Sequence, residues 1–410
     1  DARLDTYRCR DAKSGAARET RAGAKRGCLK QLCATTILKN AEPVSSISKR
    51  QNKLDIKELF DLLKVEDIRP ENVFLSSPLK ESSFDAEVRE YQPTSSEYIE
   101  KLKTKEIADK KEYSEKNGKT FDNNASFALR RIDVSRPEGK NGKRVNVYKL
   151  IIENTDYYNF VFPNLCLDKA YYNEVTQENH TLRDMLNLDK KVLSISTMTD
   201  FKNCQFKIGT GTLLVTKDGF LICSVRSKNQ FVASKQSNQE IAVHLSSAEG
   251  MYRSLNNPLS SDVNSEGKPS PFVTCARSLI DELNLNEEHF DKEDIVCIGY
   301  FMDLKRAQPF FLFYLKIDLT VDEFFSIYSN TSTDIHENEA IFALPNKFEN
   351  LKNLFLGTPF DALGAKFPAM YKDFFDAKKT VKVRIASNHA QAGFAAYALK
   401  DLGPITKAMV

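Results

Sequence analysis

None of the eight cysteines, at positions 9, 28, 33, 166, 204, 223, 275 and 297, stands in a Cys-x-x-Cys pair, so zinc-ribbon spacing is excluded. No run approaches the roughly 18 apolar residues that a membrane span requires. Gly-x-Ser-x-Gly, His-Glu-x-x-His and a Walker lysine are all missing, which removes the commonest serine-hydrolase, zincin and P-loop readings. "GTGT", 209–212, has too few glycines and no following helix to cradle a phosphate. No internal repeat is visible. The N-terminus lacks a starting Met and an apolar h-region, and its scattered acids argue against the transit peptide that its Arg and Ala suggest. The expectation is a cytoplasmic protein. Cys223 in "GFLICSV" and Cys297 in "DIVCIGY" then read as small buried hydrophobes of a reducing compartment.

What is present is unevenly charged. The net charge is +3, yet residues 1–50 carry twelve Lys/Arg against five Asp/Glu, so the remainder is slightly acidic. A basic tail on a near-neutral body argues against nucleic acid as the body's main ligand. The length suits two modest domains plus tails, and a hydrophobic content of 41% predicts that part of the chain lies outside a core.

Pattern divides the chain into five stretches. Residues 1–50 have no usable periodicity and are expected to be a disordered tail. Residues 51–120 read as a connector, with a short helix at "LDIKELFDLLKVEDI", 54–68, and then a charged polar run. Residues 121–200 read as a small α+β accessory domain, in which "FALRRIDVSRP" and "RVNVYKLIIEN" flank "EGKNGK" as a hairpin. Its aromatic row "DYYNFVFPNLCLD" is expected in the core, with Tyr157 and Tyr158 as the pair that would line a ligand surface. Residues 201–355 hold the clearest order. The runs of "IGTGTLLVTKDGFLICSVRS" form a hairpin about "KDG", and "IAVHLSSAEGM" is a strand entering a Glu-Gly turn. A polar loop and a helix come next. Two strands ("DIVCIGYFMD", "PFFLFYLKIDL"), a helix, a strand ("ENEAIFALPN") and a helix complete the stretch. This order predicts an α+β fold with helices against a mixed sheet. Residues 356–410 read as an extension, a strand and then a small-residue helix, with no function implied.

The chemistry concentrates in "TCARSLIDELNL", 274–285. At 100° per residue Ala276, Leu279, Ile280 and Leu283 share one arc, and Ser278, Asp281 and Glu282 share the opposite one. That face suits plain solvation or a metal site equally. The preceding strands, ending at Arg226 and at the Glu-Gly turn, add weight. With them, "RSLIDELNL" resembles the second half of the Nudix hydrolase box, Arg-Glu-apolar-x-Glu-Glu-x-Gly-apolar, and the resemblance covers about 205–350. It implies a Nudix-like α/β/α sandwich. Arg277 would brace the box loop through a salt bridge, Asp281 and Glu282 would hold Mg²⁺ or Mn²⁺ against a diphosphate, and Glu249 would fold in as a further metal ligand. Departures are plain. Ser278 replaces the first helical Glu, Asn284 replaces the Gly, Gly250 lies 27 residues before Arg277 rather than the family's 14, and Pro269 occupies the isolated Glu's spacing, with Glu249 and Glu266 nearby.

Two functions follow. One is an Mg²⁺-dependent hydrolase of a nucleoside diphosphate linked to another moiety, with Glu282 and Glu339 catalytic, metal-activated water as the alternative nucleophile source, and Arg226 on the phosphate. The other is a catalytically impaired nucleotide-binding sensor or interaction module, with a protein partner at the N-terminal domain. His336 and His244 are lesser candidates; each also reads as an ordinary structural residue.

Overall fold

Residues 73–79, inside the stretch expected to be a charged connector, form a strand, β1 (Val73–Leu79). The computed structural model describes residues 54–65, 68–90, 96–118, 121–138, 144–174, 176–188, 193–201, 204–226, 240–331, 338–400 and 402, all within one compact unit, Glu42–Val410. The tail expected over 1–50 lies outside the described residues. After β1 come β2 (Phe84–Val88), β3 (Ala125–Ser135), β4 (Val147–Asp156), β5 (Ala170–Asn173) and β6 (Glu178–Thr181). The second half contributes β7 (Gly209–Val215), β8 (Phe220–Arg226), β9 (Glu240–His244), β10 (Ser247–Gly250), β11 (Val296–Asp303), β12 (Gln308–Lys316), β13 (Asn338–Pro345) and β14 (Lys382–Ile385).

The architecture is mixed α+β, as expected. The main sheet runs β1-β11-β12-β7-β8-β9-β14, with β10 paired to β7 and β13 to β8. It is mixed: β12–β7 and β14–β9 are parallel and the other pairs antiparallel. A smaller sheet, β2-β4-β3, contains the expected β3–β4 hairpin. Both ends of the chain thus reach the main sheet, β1 from the connector and β14 from the extension. β1 and β2 were illegible because their polar residues break the alternation of a half-buried strand; β1 buries only Val73 and Leu79.

The β7–β8 hairpin closes on Gly219, whose φ of 81° a side chain would strain. Beyond the turn the two strands diverge, and their ladder is confined to Val215↔Leu221. Ser246 fills the gap. Its Oγ donates to the Ile222 carbonyl of β8 (2.6 Å) and accepts from the Leu214 N–H of β7 (2.8 Å). This is why "IAVHLSSAEGM" is two strands rather than one. The chain crosses at Leu245–Ser246 from the β8 side to the β7 side, and Glu249–Gly250 belong to β10 instead of a turn.

"GTGT" also finds its explanation here. All seven residues of β7 are buried, and their alternation serves two faces. Thr210 and Thr212 point to the helix Pro271–Leu283, through a 3.0 Å contact of Thr212 Oγ1 with Cys275 Sγ. Gly209 and Gly211 make room on the other face: a Cβ at Gly209 would lie 2.6 Å from the Phe310 ring, and one at Gly211 would strike Leu245. The helix Asn388–Lys400 lies on that second face, where Gly393 also meets Leu245 and Leu312. Among the described residues, Cys166, Cys204, Cys223, Cys275 and Cys297 are buried free thiols, as expected of small hydrophobes, and no helix is long and apolar enough to cross a membrane.

Candidate functional site

The helix Pro271–Leu283 begins on Pro271, whose missing N–H would have no partner in the first turn. It ends at Asn284 in the left-handed conformation (φ 55°), with Leu285 N–H returning to Leu279. Asn therefore does what Gly does at this box position. The arc expected to present oxygens is largely covered. Ser278 is fully buried; its Oγ lies 2.9 Å from Ser247 Oγ on β10 and donates to the Cys275 carbonyl at 2.9 Å. Glu282 is only 4% exposed, and its Oε1 accepts the N–H of Ala248 at 3.1 Å. β10, unforeseen as a separate strand, is what buries this arc.

Asp281 diverges from Glu282. Its side chain is 44% exposed, is bonded to Arg277 Nη1 at 3.4 Å, and borders a cavity of about 190 Å³ on the outer side of the helix, near Glu81 and Lys292. Arg277 is the hub. Its Nε and Nη2 form a forked pair with Asp262 (2.9 and 3.1 Å), and Nη2 also donates to the Gly250 carbonyl. Asp262 is buried and further accepts Tyr252 N–H (2.7 Å) and Thr274 Oγ1 (2.9 Å). The pair ties the inserted loop to the helix, the brace that the resemblance implied for Arg277. Burial works against the guanidinium's charge, but the bonds and charge of Asp262, with Glu249 and Asp281 behind it, hold its pKa above the ordinary value. Asp262 escaped sequence reading because "SSDVN" carries no motif. Asking what Arg277 would pair with inside the insertion was the available signal.

Glu249 lies on the helix-facing side of β10, in register with Thr210, and its Oε1 accepts the Gly250 N–H at 2.9 Å. Lys207 is beside it. Burial pulls that ammonium's pKa down, while the charges of Glu249 and Asp262 support it and Arg277 opposes it. Glu249, Asp281 and Glu282 thus share a neighbourhood that already holds two cations. For a divalent ion the donor set does not fit. Ser278 stands where an acid is needed, Glu282 is committed to a backbone N–H, and Asp281 turns to the opposite side of the helix. Among the described residues, no three His, Cys, Asp or Glu side chains gather so as to hold a metal ion.

Arg226 and Glu339 belong to another neighbourhood. Glu339 Oε1 lies 3.8 Å from Lys378 Nζ, a residue of the extension. Arg226 ends β8 opposite Asn338, on the face that Ser224 shares with its ladder partner His244. His244 and His389 meet there, Nε2 to Nε2, at 2.6 Å. His389 sits in the first turn of the Asn388–Lys400 helix, stacked on Phe310 at 4.3 Å. One ring therefore carries its proton on Nε2 and the other accepts it. His389 could not be foreseen as a partner of His244, 145 residues away. His336 and Glu337 lie outside the described residues.

Burial, with Arg226 and Arg306 nearby, pushes both histidines well below the usual imidazole pKa. They stay neutral when folded, while the unfolded chain takes up protons below about pH 6.5. Their contribution is complete above that pH and is lost as pH falls, by about 1.4 kcal/mol per pH unit for each ring. Asp303, whose carboxyl burial pushes up, works the other way. Urea midpoints at pH 7.5 and 5.5 should therefore fall more steeply for the wild type than for His244→Leu/His389→Leu; parallel slopes would contradict the assignment. Separately, Asp262→Ala leaves Arg277 without its buried partner and should cost about 3–5 kcal/mol in the same assay, against near-neutrality if the pair were solvated. No protein-family model matches the chain, and no curated protein matches it.

Proposed function

We propose that the chain is a Nudix-like module, built on an α/β/α sandwich, that binds a nucleotide-type diphosphate without hydrolysing it. The resemblance in strand order and box helix supports the scaffold, as do the Arg277 brace and the left-handed Asn284. Glu282 carries the reading against catalysis: a buried carboxylate that accepts the Ala248 N–H caps β10 and holds no free lone pair toward solvent-borne ligand on that bond. Ser278, sealed against Ser247, reinforces it. In this reading the box has become a structural brace, and a cytoplasmic sensor or interaction role replaces turnover, with the N-terminal α+β region as the docking part for a protein partner.

The hydrolase reading has one observation in its favour. Asp281 is half exposed beside a cavity, with Glu249 in the same neighbourhood, and a single Mg²⁺ needs only one or two carboxylates. Turnover separates the two. A panel of nucleoside diphosphates linked to sugars, nucleosides and alcohols, incubated with Mg²⁺ or Mn²⁺, should release neither phosphate nor nucleotide above background. Wild type and Glu282→Gln should then be indistinguishable, while calorimetry registers nucleotide binding. Metal-dependent release that Glu282→Gln abolishes would overturn the proposal.

A further inference from the structure

The β11–β12 turn is the most firmly held short loop on its side of the molecule. Asp303 Oδ1 accepts the Lys305 N–H at 3.0 Å. Arg183 donates to the carbonyls of Leu304 (3.2 Å) and Lys305 (3.5 Å), and Asn164 Nδ2 donates to that of Ala307 (2.9 Å). Ala307 is held at φ 47°, a left-handed conformation that alanine rarely adopts. Three separate elements thus fix a turn whose two outward side chains are Lys305 and Arg306.

Those side chains line a cavity of about 310 Å³, together with Lys110, Lys169, Asp168, Leu165 and Leu167. Its one acid is already committed: Arg183 Nε lies 2.7 Å from Asp168 Oδ1. Beneath the floor Glu106 serves two lysines, at 2.6 Å to Lys169 and 3.4 Å to Lys110. Among the described residues neither Lys305 nor Arg306 has a carboxylate within ion-pair distance, although buried Asp303 lies near Arg306. Lys110, Lys169, Lys305, Arg306 and Arg183 face Asp168, Glu106 and Asp303, an excess of two positive charges. No residue of the Pro271–Leu283 helix takes part.

We propose that this cavity is a binding site for a phosphorylated small molecule, with Lys305, Arg306 and Lys169 on the phosphate or diphosphate group and Leu165 and Leu167 against the remainder. Cations gathered in a concave site and left without counter-charges suit a compact anion of two or more charges. The volume lies at the lower end for small-ligand sites. A nucleic acid backbone would call for a groove that follows successive phosphates, and this cavity is local. The site stands whichever way the box helix is read, because it shares no residue with that helix.

Calorimetric titration of the full chain with inorganic pyrophosphate in EDTA tests this without any metal. Binding that weakens as salt is raised is expected, and Lys305→Ala/Arg306→Ala should weaken it at least roughly tenfold. Lys292→Ala, at the cavity beside Asp281, should leave it unchanged. Lys305→Ala alone changes an exposed side chain, keeps the fold, and should reduce affinity in the same direction. ADP distinguishes the source: tighter binding than pyrophosphate identifies a nucleotide, and equal or weaker binding a free phosphate compound, both on this site. No heat from the wild type at millimolar pyrophosphate overturns the proposal, and so does equal affinity in the wild type and both turn variants. A failure here leaves the box-helix reading untouched, since that reading rests on turnover.

Discussion

The carboxylate of Asp262 is the point on which the candidate site depends. It is buried and takes four donors: two from Arg277, one from the Tyr252 backbone and one from Thr274. A buried carboxylate with so many partners is stable only while all of them are in place. The inserted loop between β10 and the helix is therefore fastened rather than draped, and Arg277 is held with its third nitrogen toward Asp281. The helix acids inherit their geometry from this arrangement. With Arg277 fixed, Asp281 is drawn outward, while Glu282, one residue further round the helix, reaches the Ala248 N–H.

The consequence is a box helix whose polar side has turned inward. Serine in place of the first helical acid allows β10 to approach until Ser247 and Ser278 bond directly. A Glu there would need space and a partner that the contact does not provide. The lost charge, the short Ser–Ser contact and the committed Glu282 are three aspects of one packing solution. They make a rigid scaffold, and they remove the converging free carboxylates that a divalent ion requires. The anionic ligand is instead met by positive charge elsewhere, on the pinned turn between β11 and β12.

Much of the architecture was legible in the sequence where local chemistry and global packing agree. The β7–β8 hairpin was readable from "KDG", because a left-handed Gly219 is what the turn needs. The helix at 274–285 was readable from its apolar arc, and its end from Asn284. The strand and helix of the extension were readable too, although their place in the sheet was not. Failures share a cause: they concern partners distant in sequence. β1 looks like charged connector because only its ladder with β11 makes it a strand. The split of 241–251 depends on Ser246 wedging between strands that diverge. Asp262 and His389 are ordinary residues until folding places one on Arg277 and the other on His244. Periodicity at 274–285 reported two faces correctly, but could not tell that the polar one would be buried.

The central claim is that the helix carboxylates are structural and do not gather on a cation. An anomalous-difference map from crystals soaked in Mn²⁺ addresses it most directly. The account requires no manganese peak shared by Asp281, Glu282 and Glu249, with Glu282 still on the Ala248 N–H. A strong peak bonded to both Asp281 and Glu282, with the Ala248 hydrogen bond broken, would contradict it.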